Sequence, residues 1–185
     1  GEIRTSWVVD PPSGMVPYKK EYAAGRNFGN DYTSDETRPL AERCLRGFTN
    51  GAVPVLANGL YNNNYQIVQS PTHVMILAEM IHDARIVRMN GKHRVDGRRP
   101  YLGDSIGWYD GETLVVETTN YPPEQLFRGS WQNLTVTERF TRVKEDRLLY
   151  QFTVDDPTKW DRPWGGEYEF RSSAAPIEEY ACREG

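Results

Sequence analysis

Long apolar runs are missing from this 185-residue chain. None approaches the 18 or so residues a membrane-spanning helix needs, so no helical span is expected. Histidine is scarce: His73, His82 and His93 show neither HxH nor HExxH spacing, so no zinc site is expected. Only two cysteines occur, Cys44 and Cys182, much too far apart for a CxxC metal or redox motif. The 22 Lys and Arg are interspersed among 26 Asp and Glu without a basic block, which argues against a nucleic-acid partner. The acids of Asp155-Asp156-Pro157 lack the ligand spacing of an EF-hand. No repeat of 20–50 residues is evident, and no signal peptide is visible at Gly1-Glu2-Ile3. No cofactor is expected.

What the chain has instead is aromatic and β-forming character. Five Trp and 11 Tyr suit a β-rich protein or a ligand cavity. A single folding unit of this length buries roughly 70% of its unfolded surface. Residues 1–60 lack sustained periodicity and carry many prolines, glycines and asparagines. They read as an arm wrapping the domain, anchored by Trp7, Tyr18, Tyr22, Phe28 and Phe48. Within it, Trp7-Val8-Val9 is expected as an edge strand stopped by Pro11-Pro12, and Asp35 to Leu45 as a short helix. The two cysteines are either buried thiols or a long-range disulfide. The disulfide is expected, because it would fix arm and tail to the domain, and it implies an oxidising compartment.

From residue 61 to 185 strand and turn signals alternate. Strands are expected at 65–69, 73–80, 82–89, 105–109, 113–119, 134–143, 147–155 and 166–172, with hairpins at Asn90-Gly91 and Asp110-Gly111. Eight strands joined by short turns give a mainly β, antiparallel meander. Closed into an eight-stranded, calycin- or lipocalin-like barrel, it would lose its exposed edges and hold one small ligand.

Period-two alternation then sorts the side chains. Leu134, Val136, Glu138, Phe140 and Arg142 share one face, and so do Leu148, Tyr150, Phe152 and Val154. In 74–86, Val74, Ile76, Ala78, Met80, His82, Ala84 and Ile86 are in phase, opposite Glu79, Asp83 and Arg85. One bulge would reverse everything beyond it. The candidate catalytic set is therefore His82, Glu138 and Tyr150, with Arg142 near an end; Glu79, Asp83 and Arg85 join instead if the other face turns inward. An inward carboxylate beside a histidine is the pattern of acid–base chemistry, and an arginine would hold an anionic group. Asn64 at the barrel mouth, with Trp108, Trp131 and Trp164, are the candidate ligand contacts. Gly103-Asp104-Ser105-Ile106-Gly107 matches GxSxG by letter. A strand and hairpin follow it rather than a helix, so Ser105 is not read as a nucleophile.

The stretches Tyr61-Asn62-Asn63-Asn64-Tyr65-Gln66-Ile67-Val68-Gln69, Glu79-Met80-Ile81-His82-Asp83-Ala84-Arg85, Glu138-Arg139-Phe140-Thr141-Arg142 and Asp155-Asp156-Pro157 carry a resemblance. With Glu179-Tyr180-Ala181-Cys182 and several shorter matches, the chain resembles a family of uncharacterised secreted bacterial proteins along nearly its whole length. The resemblance implies a secreted precursor and a periplasmic or extracellular site, and it brings no activity to any residue. Where that family ends in Cys-His-Glu-Gly, this chain has Cys182-Arg183-Glu184-Gly185. Two function classes follow. One is a cofactor-independent lyase, hydratase or isomerase acting on a small organic substrate in the barrel. The other is a non-catalytic binding or accessory protein, with a protein partner on its N-terminal arm.

Overall fold

The computed structural model describes residues 6–23, 38–47, 51–59 and 61–182. Nine strands form one sheet: β1 (Val8–Asp10), β2 (Tyr65–Gln69), β3 (His73–Ala78), β4 (Ala84–Met89), β5 (Asp104–Asp110), β6 (Thr113–Thr119), β7 (Thr135–Lys144), β8 (Arg147–Asp155) and β9 (Trp164–Arg171). Their order is β1-β9-β8-β7-β6-β5-β4-β3-β2. Every neighbouring pair is antiparallel except β4 and β5, which are parallel. Among the described residues, helix is confined to Lys20–Ala23 and two single 3-10 turns, Met80–His82 and Pro123–Gln125.

Period-two patterning builds the core. Along β7, Val136, Glu138 and Phe140 are buried while their neighbours are half-buried, and along β8 the buried set is Tyr150, Phe152 and Val154. These meet Val74, Ile76, Val87, Leu114, Val116 and Trp164 in one cluster. The sheet therefore curls around a single interior, and Tyr65 of β2 touches Phe170 of β9 with ring centroids 5.5 Å apart. No ladder joins β2 to β9 or β1. The expected eight-stranded closed barrel is thus corrected to a nine-stranded sheet with an open seam. The ninth strand, β1, takes one edge of β9 instead of leaving it for β2.

Two local features differ from expectation. Asn90-Gly91 turns the chain, with Asn90 at φ 55°, but makes no hairpin. A connection from 91 to 103 returns the chain to the start of β5, so β5 runs parallel to β4. Between β3 and β4 the chain makes the 3-10 turn Met80–His82, where Ile81 and His82 take φ of 63° and 56°. This turn reverses the phase. Arg85 and Val87 point inward, and Ala84 and Ile86 are exposed. Glycine is used where geometry asks for it, as two positions show. Gly111, at φ 60°, opens the two-residue turn between Asp110 and Thr113, a conformation that L side chains rarely adopt. A Cβ on Gly166 would stand 2.3 Å from the Trp7 carbonyl oxygen, so only glycine lets β1 approach β9 there.

The arm adds to the same core. Ala52 and Leu56 are fully buried, Tyr18 packs on Trp160 at 6.4 Å, and Trp7 lies 6.0 Å from Tyr168. Phe28, Phe48 and residues 35–37 of the expected helix lie outside the described residues. The rest of that segment, residues 38 to 45, forms turns rather than helix.

Candidate functional site

An arginine and a glutamate are locked together inside the apolar interior. Arg85 on β4 and Glu138 on β7 are 1% and 0% exposed, and their side chains meet in a two-pronged bridge of 2.6 and 3.1 Å. Tyr150 on β8 donates to Glu138 Oε1 at 2.9 Å and accepts from the Leu56 amide at 3.0 Å. Arg85 also reaches Thr118 Oγ1 at 3.4 Å, and Thr118 in turn bonds Ser105 Oγ at 2.8 Å. Burial pulls the Arg85 guanidinium down, but the Glu138 charge and its hydrogen bonds outweigh this and hold it above its ordinary range. Burial drives the Tyr150 hydroxyl well up, reinforced by the neighbouring Glu138 charge. Such a pair repays its desolvation only when geometry and additional hydrogen bonds are good; here the bridge is two-pronged and Tyr150 and Thr118 add bonds, while the buried Arg85 Nε has no partner among the described residues.

His82 does not share this interior. The 3-10 turn carries it to the exposed side, where its ring Nε2 contacts the Glu178 carbonyl at 3.2 Å and the Tyr180 amide at 3.4 Å. The expected meeting of His82 and Glu138 in one cavity is therefore corrected, and the phase reversal is the physical reason. Asp83 follows in an extended conformation. It is half-buried, with no hydrogen bond to its carboxylate among the described residues, and burial raises its carboxyl to about 6. Glu79, 3% exposed, accepts from the Asn64 amide and side chain at 3.2 and 2.9 Å and from the Glu178 amide at 3.2 Å. Burial works to raise its carboxyl, and these donors more than reverse that, leaving it below its ordinary value.

The tail that follows β9 is thus pinned against the 3-10 turn by His82 and Glu79. Two residues after Tyr180, Cys182 forms a disulfide with Cys44, Cα to Cα 5.7 Å, across 138 positions of sequence. Between this tail, the β7–β8 hairpin and β2 lies an open cleft of about 860 Å³. Tyr65, Ile67, Leu148 and Phe170 give it apolar wall, and Asn64, His82 and Arg142 also line it.

Comparison with protein-family models, curated proteins and solved structures gives no match.

The remaining candidates separate. Asn64 reaches the cleft. Trp108 sits on the outer face of β5, 36% exposed, and Trp131 packs at the core margin beneath the Arg99 guanidinium, 5.2 Å from its ring. Trp164 is buried, edge-on to Trp160 at 5.8 Å and stacked on Phe127 at 6.1 Å. Ser105 lies in β5 with its hydroxyl spent on Thr118, as the absence of an elbow requires. One polar cluster went unseen in the sequence. Asp104, 4% exposed, accepts from Arg88 and the Arg94 amide at 2.6 Å each and faces His93 Nδ1 at 3.2 Å, while His93 Nε2 faces Glu117 at 3.0 Å. Its members are spread over 30 positions with no motif spacing. It fixes the connection from 91 to 103 to β5 and β6. Among the described residues, no group of three or more His, Cys, Asp or Glu is arranged to hold a metal ion.

Proposed function

We propose that this is a non-catalytic binding protein that takes its ligand at the open seam of the sheet. One observation carries the reading. The acid at the centre of the interior, Glu138, spends both carboxylate oxygens on Arg85 and Tyr150 inside a filled core, so neither is left for a substrate. The cleft at the seam, by contrast, reaches solvent and combines apolar wall with polar rim, the ordinary character of a ligand site. The interior of the sheet is filled with side chains, and binding is displaced to its side. The lyase or isomerase reading retains His82 on the cleft rim, with its ring Nε2 against the backbone of Glu178 and Tyr180 rather than a carboxylate. The disulfide, together with the resemblance to secreted proteins, supports a periplasmic or extracellular location.

The test is a thermal-shift and NMR screen of small amphipathic molecules and short peptides against the intact protein. Ligands are expected to shift the amides of Asn64, Tyr65, Ile67 and Phe170, and Ile67→Asp is expected to abolish the shifts. Turnover of any substrate that Glu138→Gln removes while the protein stays folded would overturn the reading.

A further inference from the structure

The β2 edge that forms one side of the cleft has a row of unanswered backbone groups. Glu79 N donates to Asn64 O at 2.9 Å, and Ser70 N donates to His73 O at 2.8 Å. With the β2–β3 register, these two bonds set the hydrogen-bonded pairs as Asn64 with Glu79, Gln66 with Leu77, Val68 with Met75 and Ser70 with His73. Antiparallel alternation then turns the N–H and C=O of Tyr65, Ile67 and Gln69 away from β3. No described residue bonds to them. The same parity holds across the seam. β1 covers only the start of β9, where Glu167 N donates to Trp7 O, so the backbone groups of Glu169 and Arg171 also face away from β8, without a partner among the described residues.

An exposed edge is normally guarded by charge, proline or a bulge. The β1 edge has all three: Asp10, Pro11-Pro12 and a register shift. The strand Tyr65-Gln66-Ile67-Val68-Gln69 has none: it is uncharged, pairs with β3 without a register shift, and carries the β-formers Tyr65, Ile67 and Val68. Charges around the cleft balance, with Arg142, Arg147 and Arg171 against Glu145, Asp146 and Glu179, which selects neither an anion nor a cation.

We propose that the cleft receives an extended segment of a partner polypeptide, which pairs with β2 as an added strand. The inference rests on the binding reading above and names its ligand class. Main-chain ladder bonds supply affinity, and alternate apolar side chains of the segment enter beside Tyr65, Ile67 and Phe170. The occupant is a strand rather than a second copy of this domain. The β7–β8 hairpin and the tail already line the cleft opposite β2, so the free edge faces a groove and not an open surface.

The probe is a panel of capped hexapeptides alternating threonine with Val, Ile, Leu, Phe or Tyr, added to the intact oxidised protein. Amide hydrogen exchange by NMR is the readout. Binding members are expected to slow exchange at Tyr65, Ile67 and Gln69, with no new protection on the outer face at Trp108. N-methylation of the peptide on its pairing edge should weaken binding by about tenfold for each ladder bond lost. Ile67→Pro removes one outward N–H while leaving the β2–β3 ladder intact, and should lose peptide binding. The N-methylated peptides make the same test on unchanged protein. Absence of protection with every member, or equal binding of N-methylated and parent peptides, would overturn the proposal. Protection of the same amides in a dimer without peptide would overturn it in favour of self-pairing. Laurate binding in the cleft without any peptide binding would sink this inference and leave the binding reading standing, whereas failure of both would remove the two together.

Discussion

Replacing Glu138 by glutamine tests the interior network with almost no change in shape. The carboxylate Oε1 receives Arg85 and Tyr150, and Oε2 receives Arg85 at 2.6 Å. An amide has one acceptor oxygen, so in either orientation its NH₂ faces a donor. Arg85, 1% exposed, is left with an uncompensated charge. Removing one member of a buried pair costs about 3–5 kcal/mol. For a chain of this size each kcal/mol lowers Tm by about 2–4 °C, so a fall of roughly 6–20 °C is expected. Arg85→Met alone should cost a similar amount, because it strands the glutamate. The double variant Arg85→Met/Glu138→Gln removes both charges. It should cost only about 1–3 kcal/mol, for the amide left partly unpaired. Urea unfolding followed by tryptophan fluorescence would close the cycle, with a coupling energy above about 3 kcal/mol. A single variant within about 2 °C of the parent, or a double variant no better than the worse single one, would refute the argument that the pair is sealed and mutually dependent.

Further expectations follow from other parts of the molecule. Burial lifts the Asp83 carboxyl to about 6, so the folded state holds that proton to higher pH than the unfolded chain and stability falls as pH rises from roughly 4 to 6. Asp83→Asn should therefore be more stable than the parent at pH 7, by about 1 kcal/mol once solvent screening is allowed for, and equal to it below pH 4; melting curves across pH decide. Replacing Cys44 and Cys182 by serine should cost up to about 5 kcal/mol by the chain-entropy model and expose the tail to protease, both measurable with and without reductant. Gly166→Ala should displace β1 and cost about 1–3 kcal/mol by chemical denaturation, with exchange protection lost at the Glu167 amide, which donates to the Trp7 carbonyl.

Local rules carried much of this fold. β2, β6 and β8 lie where alternation and turn residues place them, and the buried faces of β7 and β8 follow from period two alone. Such rules say nothing about partners distant in sequence. Asn90-Gly91 signals a reversal but not what the next strand pairs with, so the parallel step from β4 to β5 was illegible. The seam was also illegible, because closure depends on whether β1 or β2 takes the free side of β9. Among site residues, Glu138 and Tyr150 were readable from strand phase. Arg85 was readable only as the alternative face, since two consecutive left-handed residues in the turn before it cannot be inferred when the first is Ile81, a β-branched type that rarely adopts that conformation. Leu56 joins the network through its backbone, which leaves no mark on residue type.

The turn at Met80–His82 also bears on how such a chain can change over generations. Because it sets which face of β4 enters the core, it acts as a parity element. A deletion or insertion of one residue between Ala78 and Ala84 would put Ile86 inside and expel Arg85 into solvent, leaving Glu138 buried with no counter-charge three strands away. Changes of two residues would preserve the pairing. Length variation at this turn is therefore permitted only in even steps, whereas the connection from 91 to 103, which carries no such phase, is free of that constraint.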